Sequence, residues 1–307
     1  KQKNHVYLIE NDGWYFDLKT FPEYGKLSGR VAEMADDAVS RIDESEKKRN
    51  KGDFCVWKLA FPIQDPILYW EDEELGYGRP GWHIEDTAIT EKEFGPQYDI
   101  HGGGQDLIFP HHEAEITQQV SAANLEKTKD FVKYWMHVAF LINKDEKMSK
   151  SKGNFETVNE LIKKYSKEVL RFYLLSGHYR QPLEFGEKTL KQAQAGINRI
   201  GEFINKLELT DGKIDFEKGI EEVLENTRKN FYRAMSDDFN TPEAFAEIFG
   251  LIRAINKLPK ENVSKETAKQ IKELLKECDL ILGIIPSEQK EIPAEVQADG
   301  QPQPPRD

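Results

Sequence analysis

Three short stretches carry residue types that could do chemistry. The first is Lys147-Met148-Ser149-Lys150-Ser151. Two lysines on a small-residue loop can reach a polyphosphate, and the serines and backbone N–H groups add neutral donors. Such a loop suits stabilisation of charge on a leaving pyrophosphate. The same composition also describes an ordinary solvated loop. The second stretch runs from His101-Gly102-Gly103-Gly104-Gln105-Asp106 to Pro110-His111-His112-Glu113-Ala114-Glu115. The glycines read as a turn after a strand, where backbone can approach a ligand such as an adenosine closely. His111 and Glu115 stand at i and i+4, on one helix face, a spacing that suits two metal ligands. An unliganded surface pair is the plain alternative. The third is Gly78-Arg79-Pro80-Gly81-Trp82-His83, followed by Asp86. A Trp-His pair opening a helix can line a pocket mouth; the bland reading makes Trp82 core and His83 a satisfied cap.

The elements that must position these residues follow from pattern. Two aromatic runs, HVYLI and WYFDL, flank Asn11-Asp12-Gly13, a hairpin signal. Residues 31–51 are charged, partly helical and peripheral. FCVWKLAF (54–61) reads as a buried strand, and Pro62, Pro66 and Glu71–Glu74 as loop. A helix begins after Pro80-Gly81. YDIHGGGQDLIF (98–109) reads as strand, glycine turn and return to helix, with Pro110 at the first helical position. WMHVAFLI (135–142) reads as one buried strand. From about 155 the pattern is helical: 158–175, 187–208, 219–235, 242–257 and 264–283. Strand–helix alternation followed by helices alone predicts an α/β domain carrying an all-α one. Residues 286–307 are proline-rich and nearly devoid of apolar residues, the composition of a disordered tail.

Composition bounds the function. The 307 residues hold 43 Lys/Arg against 55 Asp/Glu, a net charge of −12 that disfavours bulk nucleic-acid binding. Residues 121–190 reverse the sign, with 13 basic and 9 acidic residues, which is compatible with a local anion site. Lys163, Lys164 and Lys167 within that stretch read simply as a solvated helix face. Aromatic content of 11% is enough for a core. No apolar run approaches the ~20 residues of a membrane helix. Only two cysteines, Cys55 and Cys278, exclude a disulfide framework and a Cys-rich zinc module, and a cytoplasmic setting is expected.

In order and spacing, the three stretches resemble cysteinyl-tRNA synthetase, a class I aminoacyl-tRNA synthetase. The likeness begins at WYFDLKTFPEYGKLSGR (14–30) and continues to about residue 285. The lysine loop, between a strand and a helix, matches the KMSKS loop of that class. The resemblance implies a Rossmann-like catalytic fold, its second half present, followed by a helical bundle. It divides the chain into an inserted connective segment (1–70), catalytic second half (71–185), helical tRNA-stem-contact domain (186–285) and tail (286–307). It implies ATP with Mg2+, cysteine and tRNA-Cys as partners, no membrane, and a monomer. Lys147 and Lys150 are then catalytic, with Lys150 on ATP phosphate. Gly103, Gly104 and Asp106 flank the nucleotide, and Trp82 and His83 lie beside the amino acid. Asp86, His111 and Glu115 fall at metal-ligand positions. The family uses zinc to tell the cysteine thiolate from serine. It usually carries Cys where this chain has Asp86, a harder ligand, so zinc binding is expected to be weak or absent. The HIGH-type half-site and first zinc Cys of the family do not occur in the 307 residues, and the chain alone is expected to be a poor catalyst. The implied function is a cysteine–tRNA ligase. Alternatives are an ATP-dependent ligase joining cysteine to a small-molecule amine, as in the mycothiol pathway, and a non-catalytic binding fragment or paralogue.

Overall fold

The hairpin signal at Asp12-Gly13 is realised in the computed structural model. Strands β1 (Val6–Ile9) and β2 (Gly13–Phe16) pair antiparallel, and Asn11 turns the chain in the left-handed region at φ 60°. The structure describes residues 4–30, 45–60, 69–126, 128–143, 146–147, 156–210, 217–258 and 263–285. Lys150, most of the charged stretch 31–51, the Pro62–Pro66 loop and the 286–307 tail therefore lie outside the described residues. The chain forms two compact units, Lys1–Phe140 and Leu141–Asp307.

In the first unit β3 (Phe54–Leu59) adds antiparallel to β2, and β4 (Gly78–Pro80) to β3, giving a sheet ordered β1-β2-β3-β4. Asp53, buried just before β3, fastens this sheet to the chain around it. Its carboxylate accepts from the Tyr7 hydroxyl (2.7 Å), Leu18 N–H (3.0 Å) and Asn50 N–H (3.0 Å). Helix α1 (Trp82–Phe94) starts where Pro80-Gly81 predicts. Gly81 is required there because a Cβ would stand 2.1 Å from the Cys55 carbonyl oxygen.

Strands β5 (Tyr98–Gly104) and β6 (Val132–Val138) pair parallel, joined through helix α2 (Glu113–Ala123), a βαβ unit. The three glycines differ from the expected turn: they are the end of β5 itself, opposite Met136, His137 and Val138. Pairing to β6 imposes extended backbone on residues whose own propensity for strand is low. The chain then passes through an extended Phe109 (φ −136°, ψ 129°) before helix α2. Phe16, Leu18, Phe21, Phe54, Ala114, Ile116, Val120, Phe131 and Val132 form the core under these elements. Glu113, on the first turn of α2, accepts from Gly25 N–H (3.0 Å) and Ser28 N–H (2.7 Å), tying the 21–30 segment to the helix. The run 135–142 is not one buried strand. It divides between β6 and β7 (Leu141–Asn143), and Tyr134 and Val138 on β6 face outward.

In the second unit β7 is the middle strand, antiparallel to β8 (Glu146–Lys147) and parallel to β9 (Leu183–Glu184). The predicted helix 158–175 is two helices, α3 (Val158–Lys164) and α4 (Lys167–Leu175). Thr157 and Glu160 form a capping box at the first, and Ser166 restarts the chain as N-cap of the second, accepting from Val169 N–H. Lys163, Lys164 and Lys167 are exposed, as a solvated face requires. Helices α5 (Glu187–Glu208), α6 (Glu217–Ser236), α7 (Thr241–Asn256) and α8 (Lys265–Leu282) follow the sequence pattern within a few residues. On α5 the buried positions Leu190, Ala193, Ile197, Ile200, Phe203 and Leu207 recur every three or four residues, one stripe against the core. No helix among the described residues is long and apolar enough to cross a membrane.

Candidate active site

Five of the seven histidines meet in the first unit. His83 comes from the first turn of α1, His101 from β5, His111 and His112 from the approach to α2, and His137 from β6. Nothing in local sequence brings these elements together, because the hydrogen bonds between them span 25 to 28 residues. The i, i+4 pair is not a surface pair: His111 and Glu115 are 3% and 1% exposed. His111 Nε2 lies 2.8 Å from Asp86 Oδ2 and 3.4 Å from Glu115 Oε1. The other carboxylate oxygen, Glu115 Oε2, is 3.3 Å from His101 Nε2. His111 Nδ1 is 2.8 Å from His83 Nδ1. Trp82 tilts over His111 with ring centres 4.6 Å apart, and about half its surface is open. Trp82 is therefore not core but an exposed wall of the cluster.

Electrostatics distinguish the histidines. Burial, helped by the neighbouring His111, pushes the His83 pKa down to about 3, so the ring that meets His111 Nδ1 is neutral. His112 is also pushed down to about 3, by burial and then by the surrounding imidazoles. Burial lowers His101 against the opposing pull of Glu115. His111 is raised: burial lowers it, but hydrogen bonding and charge from Glu115 and Asp86 together outweigh that.

The donor set fits a divalent cation. Asp86, His111 and Glu115 each bring one ligand atom within 4.8 Å of the others. Both Glu115 oxygens are buried and met only at long range, by His111 (3.4 Å) and His101 (3.3 Å), a costly state for a carboxylate that a cation would relieve. Asp86 is the open side, with 47% of its side chain exposed. Two oxygens and one nitrogen make a harder set than the thiolate-bearing sites zinc prefers.

Gly103 and Gly104 end β5 at the carboxyl end of a parallel strand, where α/β folds place ligands, and Asp106 follows on an exposed turn. Gly103 also has a packing reason: a Cβ there would stand 2.7 Å from His112 Cε1. Lys147 lies on β8 in the second unit. An apolar cavity of about 570 Å³ in the first unit is lined by Trp14, Trp57 and Ile84 and by none of the candidate site residues. Sequence reasoning did not single out His112, His137, Tyr98 or Trp135. Tyr98 OH is 2.5 Å from His101 Nδ1, His112 Nδ1 is 2.8 Å from His137 Nε2, and Trp135 packs against His101 and His112. The one usable signal was alternation on β6, which puts Trp135 and His137 on the same face.

A βαβ unit with a buried imidazole–carboxylate cluster beside a glycine-edged strand end is compatible with a nucleotide-using α/β enzyme. The fold is similar to that of the agnB2 LeuRS of Agrobacterium radiobacter K84, in its ternary complex with tRNA and LeuAMS. The TM-score is 0.54 and identity 12%, over 71% of this chain and 33% of that one. The model of the class I (C) tRNA synthetase catalytic domain matches residues 1–195, and a DALR domain matches 230–286. The chain belongs to the class I (C) tRNA synthetase family. It is 42% identical to the cysteine–tRNA ligase of Carboxydothermus hydrogenoformans, over 92% of this chain and 59% of that protein. It is also 42% identical to that of Pyrococcus furiosus (87% and 56%) and 40% identical to that of Thermococcus onnurineus (89% and 58%). The chain thus spans a little under three fifths of the length of these relatives.

Proposed function

We propose that this chain is the part of a cysteine–tRNA ligase that selects cysteine and carries the lysine loop for ATP. The carrying observation is the placement of Trp82 and His83 against an open-sided Asp86–His111–Glu115 site. The cysteine carboxylate attacks the α-phosphorus of ATP, giving cysteinyl adenylate and pyrophosphate; a tRNA-Cys ribose hydroxyl then attacks the adenylate carbonyl, releasing AMP. The chain needs no nucleophile of its own, and its residues act by positioning and charge stabilisation. Trp82 covers the amino acid and limits water. His83, held neutral, shares a hydrogen bond with His111 and fixes that ring. Asp86, His111 and Glu115 would hold a divalent cation, which when bound would supply a Lewis acid for the substrate thiolate. The oxygen-rich set makes that hold weaker than a cysteine-containing one. The carboxyl end of β5 and Asp106 flank ATP, and Lys147 and Lys150 offset charge on the departing pyrophosphate, with Mg2+ on the phosphates.

The test is cysteine-dependent ATP–pyrophosphate exchange and charging of tRNA-Cys by the gene product that carries this chain. Exchange that requires cysteine, and transfer to tRNA-Cys, is the expected result. Exchange indifferent to cysteine, or transfer to an amino-sugar amine and not to tRNA, would overturn the reading.

A further inference from the structure

The turn between α6 and α7 holds two consecutive non-glycine residues in the left-handed region, Asp238 at φ 53° and Phe239 at φ 54°. An L-residue enters that region against steric cost, and a run of two persists only where surrounding contacts enforce it. Besides backbone hydrogen bonds within the turn, its side-chain contacts reach one loop. Tyr179 OH donates to Asp238 Oδ1 (2.6 Å), Arg180 Nη2 donates to the same oxygen (3.1 Å), and Arg180 Nε donates to Oδ2. His178 Nε2 stands 3.9 Å from Oδ2. On the other side of the turn, Thr241 Oγ1 donates to Leu175 O at 2.6 Å. The loop 175–182 is thus gripped at its start by Thr241 and at its middle by Asp238. The Arg180 and Tyr179 hydrogen bonds hold the Asp238 carboxyl down to about 2, so this grip is charged throughout the working pH range.

That loop feeds β9. Leu183 pairs with Leu141 and Glu184 with Ile142 on β7, Phe185 N–H donates to Ile142 O at 2.7 Å, and Ile142 is also opposite Lys147 on β8. Lys147 and Glu184 therefore flank Ile142 on β7 from its two sides. A sheet of only two- and three-residue strands has few hydrogen bonds of its own with which to fix a position. We propose that Asp238 is a positioning residue for strand β8 at Lys147, acting through Arg180 and Tyr179 on β9 and so on the three-stranded sheet. This rests on the reading above that Lys147 acts on ATP phosphate.

Two measurements on the gene product that carries this chain test it. Hydrogen–deuterium exchange needs no activity: in Asp238→Asn, peptides covering 141–143 and 183–185 should exchange about tenfold faster, with α8 unchanged, because local opening is set by local contacts. Steady-state ATP–pyrophosphate exchange should show kcat lowered about tenfold with the cysteine KM within about twofold, since a misplaced charge group costs turnover rather than amino-acid binding. Arg180→Ala should do the same, and the double variant should be no worse than either alone. Unchanged deuterium uptake at the three-stranded sheet in Asp238→Asn would overturn the proposal whatever the activity. So would a wild-type kcat, or a loss carried by the cysteine KM. Absence of cysteine-dependent exchange in the unaltered protein would instead sink the functional reading and leave the deuterium result to decide the clamp.

Discussion

The glycine run gives the sharpest single test, because three neighbouring positions have three different surroundings. At Gly103 an added Cβ would stand 2.7 Å from His112 Cε1, 2.9 Å from His112 Nε2 and 3.3 Å from Leu107 Cδ1. His112 cannot retreat. It is 1% exposed, lies 2.8 Å from His137 Nε2, and has the His101 and Trp135 rings at 4.8 and 5.1 Å. Overpacking of this kind costs about 1–3 kcal/mol. Reduced freedom of the unfolded chain offsets about 0.4–1 kcal/mol of that. Gly103→Ala should therefore destabilise the first unit by roughly 1–2 kcal/mol. At Gly102 the nearest atom is Met136 O at 3.8 Å, an ordinary contact, so Gly102→Ala should be neutral or stabilising by up to about 1 kcal/mol. At Gly104 the obstruction is the far end of the exposed Asp106 side chain rather than a buried ring, so Gly104→Ala should cost less than Gly103→Ala.

Urea titration followed by tryptophan fluorescence reads this directly. All five tryptophans, at 14, 57, 70, 82 and 135, lie in the Lys1–Phe140 unit, so the signal excludes unfolding of the helical unit. The expected order of midpoints is Gly103→Ala lowest, Gly104→Ala above it, and Gly102→Ala at or above the unaltered protein. A Gly103→Ala midpoint equal to or above the unaltered protein would refute the packing argument. It would leave ligand approach as the reason for glycine there.

Three further outcomes are expected. Asp53→Ala should cost about 2–3 kcal/mol by the same fluorescence titration, because Tyr7 OH and the Leu18 and Asn50 N–H groups lose their buried acceptor; a change under about 0.5 kcal/mol would contradict this. Cys55 and Cys278 are buried, and burial pushes the Cys278 thiol up to about 12, so Ellman's reagent at pH 8 should find neither thiol in the folded chain and both in guanidinium. Since the folded thiol titrates above the unfolded one, any stability it lends is present below about pH 9 and lost above it, the opposite of a depressed carboxylate. Asp86→Cys should tighten zinc in chelator competition, and His111→Ala should abolish it; a zinc affinity left unchanged by Asp86→Cys would show that ligand softness does not limit the site.

Much of the scaffold was legible because its signals are local. Asp12-Gly13 between aromatic runs specifies the hairpin, Pro80-Gly81 the start of α1, and a 3.6-residue apolar period the helices from α5 onward. The residues that misled are those whose state is set from a distance. The Gly102–Gly104 run reads as a turn on propensity, yet β6 holds it extended across a separation of 34 residues. The 158–175 run carries continuous helical periodicity, and only the capping hydroxyl of Ser166 reveals the restart. Trp82, His83, Asp86, His111 and Glu115 were each identifiable by motif position. That they form one cluster, open at Trp82 and Asp86, with His101, His112 and His137 packed behind it, depends on the crossover from β5 through α2 to β6, and no spacing rule within one segment contains that information.

On the proposed function Asp86 would take a metal-ligand position, and the cluster's charge balance accommodates a carboxylate there. Asp86 and Glu115 each bring one negative charge to His111 Nε2, and Glu115 does so from full burial without a hydrogen-bond donor of normal length. The imidazoles behind it give little relief, since burial holds His83, His101 and His112 towards their neutral forms. His111 is the one of these four imidazoles whose basicity the neighbouring carboxylates raise. A carboxylate and a thiolate carry the same charge, so either residue at position 86 leaves that balance intact and keeps a divalent cation electrostatically welcome. What changes is polarisability. Against an oxygen ligand, a soft substrate thiolate competes more easily for the cation, while the protein's own grip on the ion weakens. On the proposed function, an oxygen ligand at position 86 would therefore hold a divalent cation less tightly than a thiolate would.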